Sequence, residues 1–188
     1  MLLPWDRLNL IRTQIESLTI EYEWQGTKRR HIKRKECCDL ILDWLIDCYL
    51  MGDEYVRSAF GYPETDGVPV DEMYDTVYRK VAGKTFMQRV NEYASEGDIE
   101  SIMRVAETDA TRVFTESELK TAHKVGATEK TWNTMLDDKV RDTHSYLQSM
   151  TVGIDDEFYT YDGDHAPGPG QFEDASNNAN CRCWITFR

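Results

Sequence analysis

Cys181 and Cys183 stand one residue apart in the closing stretch NCRCWITF. On an extended strand that spacing turns both sulfurs to one side. Upstream, Arg141 and His144 are three residues apart, which on a helix puts them on one face. Where such a strand packs on such a helix, an imidazole meets two thiols. Two sulfurs and a nitrogen are zinc chemistry, since the ion takes four ligands of this kind at about 2.0–2.3 Å. Three are in view, and His165 or Asp164 is the candidate fourth. The alternative is a packed knot, in which Arg141 and His144 hydrogen-bond to backbone carbonyls and carboxylates while the cysteines fill space. The spacing matches no standard zinc ribbon, so we adopt the knot and expect no metal or other cofactor. Cys181 as a nucleophile with His144 as its base is a third chemistry. No residue pattern supplies an oxyanion hole or an orienting acid for it. A disulfide between two cysteines this close on one strand has the wrong geometry.

A second cluster is TKRRHIKRK, with Lys28, Arg29, Arg30, Lys33, Arg34 and Lys35 in nine residues. It falls at the head of a helix, where positive charge opposes the helix dipole. Helix stability therefore does not explain it. It reads either as a solvated turn balanced by neighbouring acids or as a contact for phosphates or an acidic protein surface. No aromatic residue interleaves with the run, so a stacking platform for single-stranded nucleic acid is not expected. Gly-rich phosphate loops, HExxH, a nucleophile elbow and dinucleotide glycines are all absent from the sequence. Asp137–Asp138 and Asp155–Asp156 are adjacent pairs, which suit caps and turns better than acid–base work.

The elements that must hold these residues follow from periodicity. Pro4 suits a first helical turn. Trp5, Leu8, Ile11, Ile15 and Leu18 then predict an amphipathic helix to about Glu23, broken at Gly26. A second helix is expected over 33–60, and the two make a helical hairpin arm, residues 1–62. The stretch Gly61–Pro69, with two glycines and two prolines, is a linker. Helical segments fill 63–127. One is marked by Met73, Val77 and Val81, one by Phe86, Val90 and Tyr93, and a longer one is capped by Asp98 and ends near Gly126. Residues 128–188 read as a small mixed module with a strand around Trp132, a short helix that Asp137 caps, a loop-rich stretch with a brief strand in EFYTY, and the final strand. In that strand Cys181, Cys183, Ile185 and Phe187 share a face. The expected fold is thus α+β, mainly helical in the N-terminal two thirds, with a small α/β module at the C-terminus.

Composition bounds the rest. A formal net charge of −12 repels nucleic acid and acidic membranes in bulk. The opening MLLPWDRLNL has no basic n-region and too short an apolar run for a signal peptide. In the most apolar stretch, Asp39, Asp43 and Asp47 wet every turn, against a membrane span. Reduced thiols are expected, with Cys37, Cys38 and Cys48 packed in the helical core.

The order of pieces resembles the phage Mu F-like minor head proteins. TRVFTESELKTAH, KTWNTMLDDKVRDTH, VGIDDEF, PGPG and NCRCWITF follow one another as they do in that family, over roughly Phe86 to Phe187. The family's elements fall on Arg112, Thr115 and Glu116; on Trp132 and Asp137; on Arg141 and His144; on Asp155, Asp156 and Phe158; on Pro167 to Gly170; and on Asn180, Cys181, Arg182 and Cys183. Members with C-x-x-C at the helix look like zinc sites. This chain has R-x-x-H there, and arginine ligates no metal. The resemblance then implies a hydrogen-bonded knot, with Arg141 tied to Asp137, to Asp155 or to loop carbonyls, and with Asn180 and Arg182 satisfying the loop. It implies a non-enzymatic virion component of head assembly, made in the host cytoplasm. Its partners would be the portal, the major capsid protein or a scaffold protein, with Lys28 to Lys35 and the N-terminal hairpin as contact surfaces. A metal-dependent enzyme acting on nucleic acid and a DNA-binding accessory factor are the alternatives.

Overall fold

The computed structural model describes residues 4–62 and 67–188; positions 63–66 of the expected linker lie outside the described residues. The fold is α+β, with helices dominating the N-terminal two thirds. A 3₁₀ turn, Pro4–Arg7, leads into α1, Leu8–Ser17. The expected continuation to Glu23 does not form. The chain instead makes a two-stranded antiparallel ribbon, β1 Thr19–Trp24 and β2 Thr27–Ile32, before α2, Arg34–Ala59. The physical reason lies in the residues: Ile20, Tyr22 and Trp24 alternate with Glu21 and Glu23, a period of two. Gln25 and Gly26 both take positive φ, 50° and 73°, as a two-residue hairpin turn requires.

Helices α3 Val70–Tyr78, α4 Phe86–Glu96 and α5 Ile99–Lys124 follow. Val81 falls beyond α3, where it bridges to Lys84 in a tight turn. Thr85 and Gln88 close a capping box on α4. Asp98 accepts from the Ser101 N–H at 3.0 Å and caps α5, which ends with Gly126 in the left-handed region. The main core is built between α2 and α5, and it takes in Ile11, Ile15, Trp44, Leu45, Phe86, Ile102 and Phe114. Gly52 sits where the two long helices cross. A Cβ there would lie 2.5 Å from the Phe114 carbonyl oxygen, so the close approach needs glycine. Among the described residues no helix is long and apolar enough to cross a membrane.

The C-terminal module has its own core of Trp132, Leu147, Phe158, Ala166, Phe172, Cys181, Cys183 and Ile185. Strand β3, Glu129–Asn133, is central in an antiparallel sheet between β4, Thr151–Gly153, and β7, Trp184–Phe187. Helix α6 is Asp142–Leu147, and β5 Phe158–Tyr159 pairs with β6 His165–Ala166. A short α7, Ala175–Asn178, precedes the last strand. Two expectations are corrected here. Asp137 does not cap α6. Arg141 holds the N-cap position in extended conformation, four residues on. The CRC segment is not yet strand, because Asn180 at φ 54° turns the chain and pairing with β3 begins only at Trp184. Cys181 and Cys183 nevertheless both face inward.

Candidate functional site

Three donors converge in the C-terminal module. Nδ1 of His144 lies 3.6 Å from Sγ of Cys181 and 3.4 Å from Sγ of Cys183, and all three residues are buried. Aromatic rings set the imidazole: Phe172 stacks on it at 5.3 Å, and Trp132 meets it edge-on at 5.3 Å. Trp132, brought in by β3, also packs edge-on against Phe158. The two sulfurs reach one side because Arg182 between them turns outward to Asp137, bonding both carboxylate oxygens at 2.8 Å. That guanidinium holds the Asp137 carboxyl below its ordinary range. Arg141 donates to the Ala179 carbonyl. The Thr111 hydroxyl of α5 donates to the Cys181 carbonyl at 3.1 Å and ties the segment to the helical core.

The candidate fourth ligands do not join. Asp164 accepts from the Asn177 amide at 2.7 Å, and His165 faces Glu157. Among the described residues, His144, Cys181 and Cys183 form the one donor cluster of metal-binding type. The two thiols divide their protons unequally. A hydrogen bond from Cys183, with His144 beside it, holds Cys181 well below the ordinary thiol range, while Cys181 and burial push Cys183 up. The other cysteines, Cys37, Cys38 and Cys48, are buried free thiols of the helical core, and burial pushes each of them up.

The cluster is closed. The cavity lined by His144, Cys181, Cys183, Arg141, Asn180 and Arg182 holds about 10 Å³. That is room for roughly one water molecule or one ion. An acyl or phosphoryl substrate for a Cys181–His144 pair does not fit.

A buried ionic group on α5 joins Arg112 and Glu116, which the family resemblance singles out, to Asp109, Arg89 and Arg79, which neither the resemblance nor the spacing reading names. Arg112 is buried; its Nε and Nη2 bond Asp109 at 3.1 and 3.0 Å, and its Nη1 bonds the Thr76 carbonyl at 2.9 Å. Arg89 closes on the same carboxylate at 2.6 Å, and Glu116 pairs with Arg79 at 3.1 Å. The legible signal was the i, i+3 spacing of Asp109 and Arg112 on the predicted helix. The Pro167–Gly170 loop lies on this stretch of α5. A Cβ at Gly168 would stand 2.6 Å from Thr115 Cγ2, and one at Gly170 would stand 2.9 Å from the Arg112 amide nitrogen.

The basic run is divided between elements. Lys28, Arg29 and Arg30 are on β2, Lys33 is at the N-cap of α2, and Arg34 and Lys35 begin the helix, where Lys35 pairs with Asp39 at 2.6 Å. Aromatic residues do accompany it, contrary to the linear reading, because β1 supplies them across the ribbon. Tyr22 is opposite Arg29, Ile20 is opposite His31, and Tyr22 meets His31 edge-on at 5.6 Å. Ile20, Tyr22 and Trp24 share this face and are exposed, Trp24 by 59%. On the other face Glu21 and Glu23 stand opposite Arg30 and Lys28.

A family model described as phage Mu protein F like protein matches residues 72–186. The NAD(+)–arginine ADP-ribosyltransferase EFV of Enterococcus faecalis (strain ATCC 700802 / V583) is 36% identical over 93 residues. That alignment covers 47% of this chain and 19% of that protein, so the chain spans about a fifth of the relative's length. No solved structure matches the chain.

Proposed function

Because the chain belongs to the phage Mu protein F-like family, we propose that it is a minor head protein, a non-enzymatic virion component that acts in head assembly near the portal. The observation that carries this reading is the closure of the reactive cluster. His144, Cys181 and Cys183 face one another across a space of about 10 Å³. Side chains that can neither reach a substrate nor admit one serve to fasten the chain. Here they fasten α6 to the terminal segment, while Thr111 and the Pro-Gly loop fasten that segment to α5. The product is a rigid module suited to being a fixed part of an assembly.

The docking surface in this reading is the ribbon. Its exposed Tyr22 and Trp24 and neighbouring Arg29 are the residue types that dominate protein interfaces. The partner is the portal, the major capsid protein or a scaffold protein, met in the host cytoplasm during assembly. A DNA contact through Lys28 to Lys35 is the secondary role, limited by the acids opposite those cations.

A second reading, a transferase acting on arginine, rests on the name of the Enterococcus relative. The two are separated by one pair of measurements on the purified chain. Co-sedimentation with portal rings or procapsids, with no nicotinamide released from NAD, is the expected result. Nicotinamide release above the blank, without co-sedimentation, would overturn the assembly role.

A further inference from the structure

We propose that the outer edge of β1 takes an additional strand, an extended segment of a partner protein that carries lysine or arginine at every second position. The inference rests on the ribbon being the docking surface and names how it docks. Hydrogen bonding is the first argument. The two-residue turn at Gln25–Gly26 makes Trp24 and Thr27 a pair that exchanges backbone hydrogen bonds, and such pairs recur at every second position. Tyr22 with Arg29 and Ile20 with His31 are therefore bonded across the ribbon. The pattern continues to Leu18, whose carbonyl accepts from the Lys33 N–H at 3.1 Å. The N–H and C=O of Glu21 and Glu23 consequently point the other way, off the ribbon. Among the described residues no third strand lies beside β1, and the strand is exposed from Ile20 to Trp24. Such an edge is a template for a further strand. A ribbon of two strands, marginal by itself in water, gains most from acquiring a third.

The second argument separates the two edges. On β2 the outward-pointing backbone at Arg30 is covered by the turn between α4 and α5. A Cβ at Gly97 would stand 2.8 Å from the Arg30 carbonyl oxygen. β1 has no such cover, no proline and no bulge in its register with β2, the usual devices that block an edge.

Charge complementarity names the occupant. Glu21 and Glu23 project on one face of β1, and Ile20, Tyr22 and Trp24 on the other. An added strand sets its own alternating side chains beside both rows. Opposite charges paired across strands stabilise and like charges destabilise, so the strand needs cations beside the glutamates and apolar groups beside Tyr22 and Trp24. A second copy of this chain does not qualify. Its β1 would set glutamates against glutamates, and its β2 is covered at Arg30. In this mode the main-chain bonds supply affinity and the alternation supplies selectivity.

The probe is the acetylated, amidated peptide KVKVKVK, titrated into the isotope-labelled full chain and followed residue by residue by NMR. Binding is expected to saturate and to slow amide exchange at Glu21 and Glu23 by about tenfold or more. The amides of Tyr22 and Ile20, already bonded to β2, should change by less than about twofold. EVEVEVE and the blocked sequence KKKKVVV should bind at least about tenfold more weakly. Glu21→Pro removes only an outward N–H, which an edge strand tolerates, so it should keep the cross-strand contacts of the ribbon and weaken KVKVKVK at least about tenfold. If that variant loses the ribbon, the double variant Glu21→Lys/Glu23→Lys decides, since it should prefer EVEVEVE to KVKVKVK. No protection at Glu21 and Glu23, or equal binding of KKKKVVV and KVKVKVK, would overturn the proposal. Co-sedimentation with procapsids is read on the wild type and on Glu21→Pro. Its loss in the variant alone supports strand addition. Equal co-sedimentation of both, with the ribbon intact, overturns strand addition and leaves the docking role. No co-sedimentation of either removes the docking role, and the peptide titration still decides the edge.

Discussion

Glu118 shows how little a residue's letter reveals of its state. It lies on α5 among helix-forming residues and looks like any surface glutamate in the sequence. In the fold it is fully buried, and neither carboxylate oxygen has a hydrogen-bond partner. Burial pushes its pKa well above the ordinary value. The folded carboxyl therefore keeps its proton where the unfolded one has lost it. The stability it contributes is fully present below about pH 4 and is lost as pH rises from there toward the raised folded value. Glu118→Gln mimics the protonated form at every pH. Its melting temperature should match the wild type in acid and exceed it at neutral pH, by more than about 1 kcal/mol in stability. Equal pH profiles for the two proteins would refute this. Lys130 works in the opposite sense and in a different window. Burial lowers its pKa to about 8, beneath the ring of Phe158 at 5.6 Å. The fold then binds fewer protons than the unfolded chain above about pH 8, so this group makes stability rise from there to about pH 10.4. Lys130→Met should remove that rise in a urea titration repeated across pH. The meeting of His144 with the two cysteines was legible, because spacing on a helix and alternation near a strand are local facts. The state of Glu118 and Lys130 was not, because burial is decided by chains far away in sequence.

At the scale of elements, the crossing of α2 and α5 depends on one missing methyl. Within an isolated helix Gly52→Ala would gain about 1 kcal/mol from propensity. Here the new Cβ would press within 2.5 Å of the Phe114 carbonyl oxygen and within 3.0 Å of Ser117 Cβ. Both belong to a helix that is held along its length, so neither yields cheaply. Overpacking should exceed the propensity gain and leave the variant about 1–3 kcal/mol less stable, read as a lower urea midpoint. A midpoint at or above wild type would mean that the helices can part without penalty. The long helices themselves were readable, since their apolar stripes, Asp98 and Gly126 are signals carried by neighbouring residues. Periodicity extends the first helix over β1, though not over β2, because the stripe Trp5, Leu8, Ile11, Ile15, Leu18 runs into that strand without a break in composition. The counter-signal, Ile20, Tyr22 and Trp24 alternating with Glu21 and Glu23 before Gln25–Gly26, spans only two turns' worth of chain. Of the small pair β5–β6, β5 falls within EFYTY, where the alternation of residues predicts a brief strand, whereas its partner β6, two residues long and set by its tertiary surroundings, has no such signal.

The whole molecule divides its labour along the chain. The family match begins within α3 and covers the Arg112 network, the sulfur–imidazole cluster and the terminal sheet. The ribbon lies outside it, and it carries the exposed aromatic face and the densest positive charge in a chain of net charge −12. If the ribbon docks on a head protein, its apolar face should carry the affinity. Replacing Tyr22 and Trp24 together by alanine should then weaken procapsid binding at least about tenfold, the equivalent of about 1.4 kcal/mol. Both side chains are exposed and outside the core, so the same double variant should keep the wild-type stability to within about 1 kcal/mol, the loss being the Tyr22–His31 contact. Salt separates this from nucleic-acid binding. A contact made by the aromatic face changes little between 50 and 200 mM salt, whereas one made by Lys28, Arg29 and Arg30 on phosphates falls steeply over about the same range. Binding that survives loss of both aromatic residues but collapses with salt would move the partner from protein to nucleic acid.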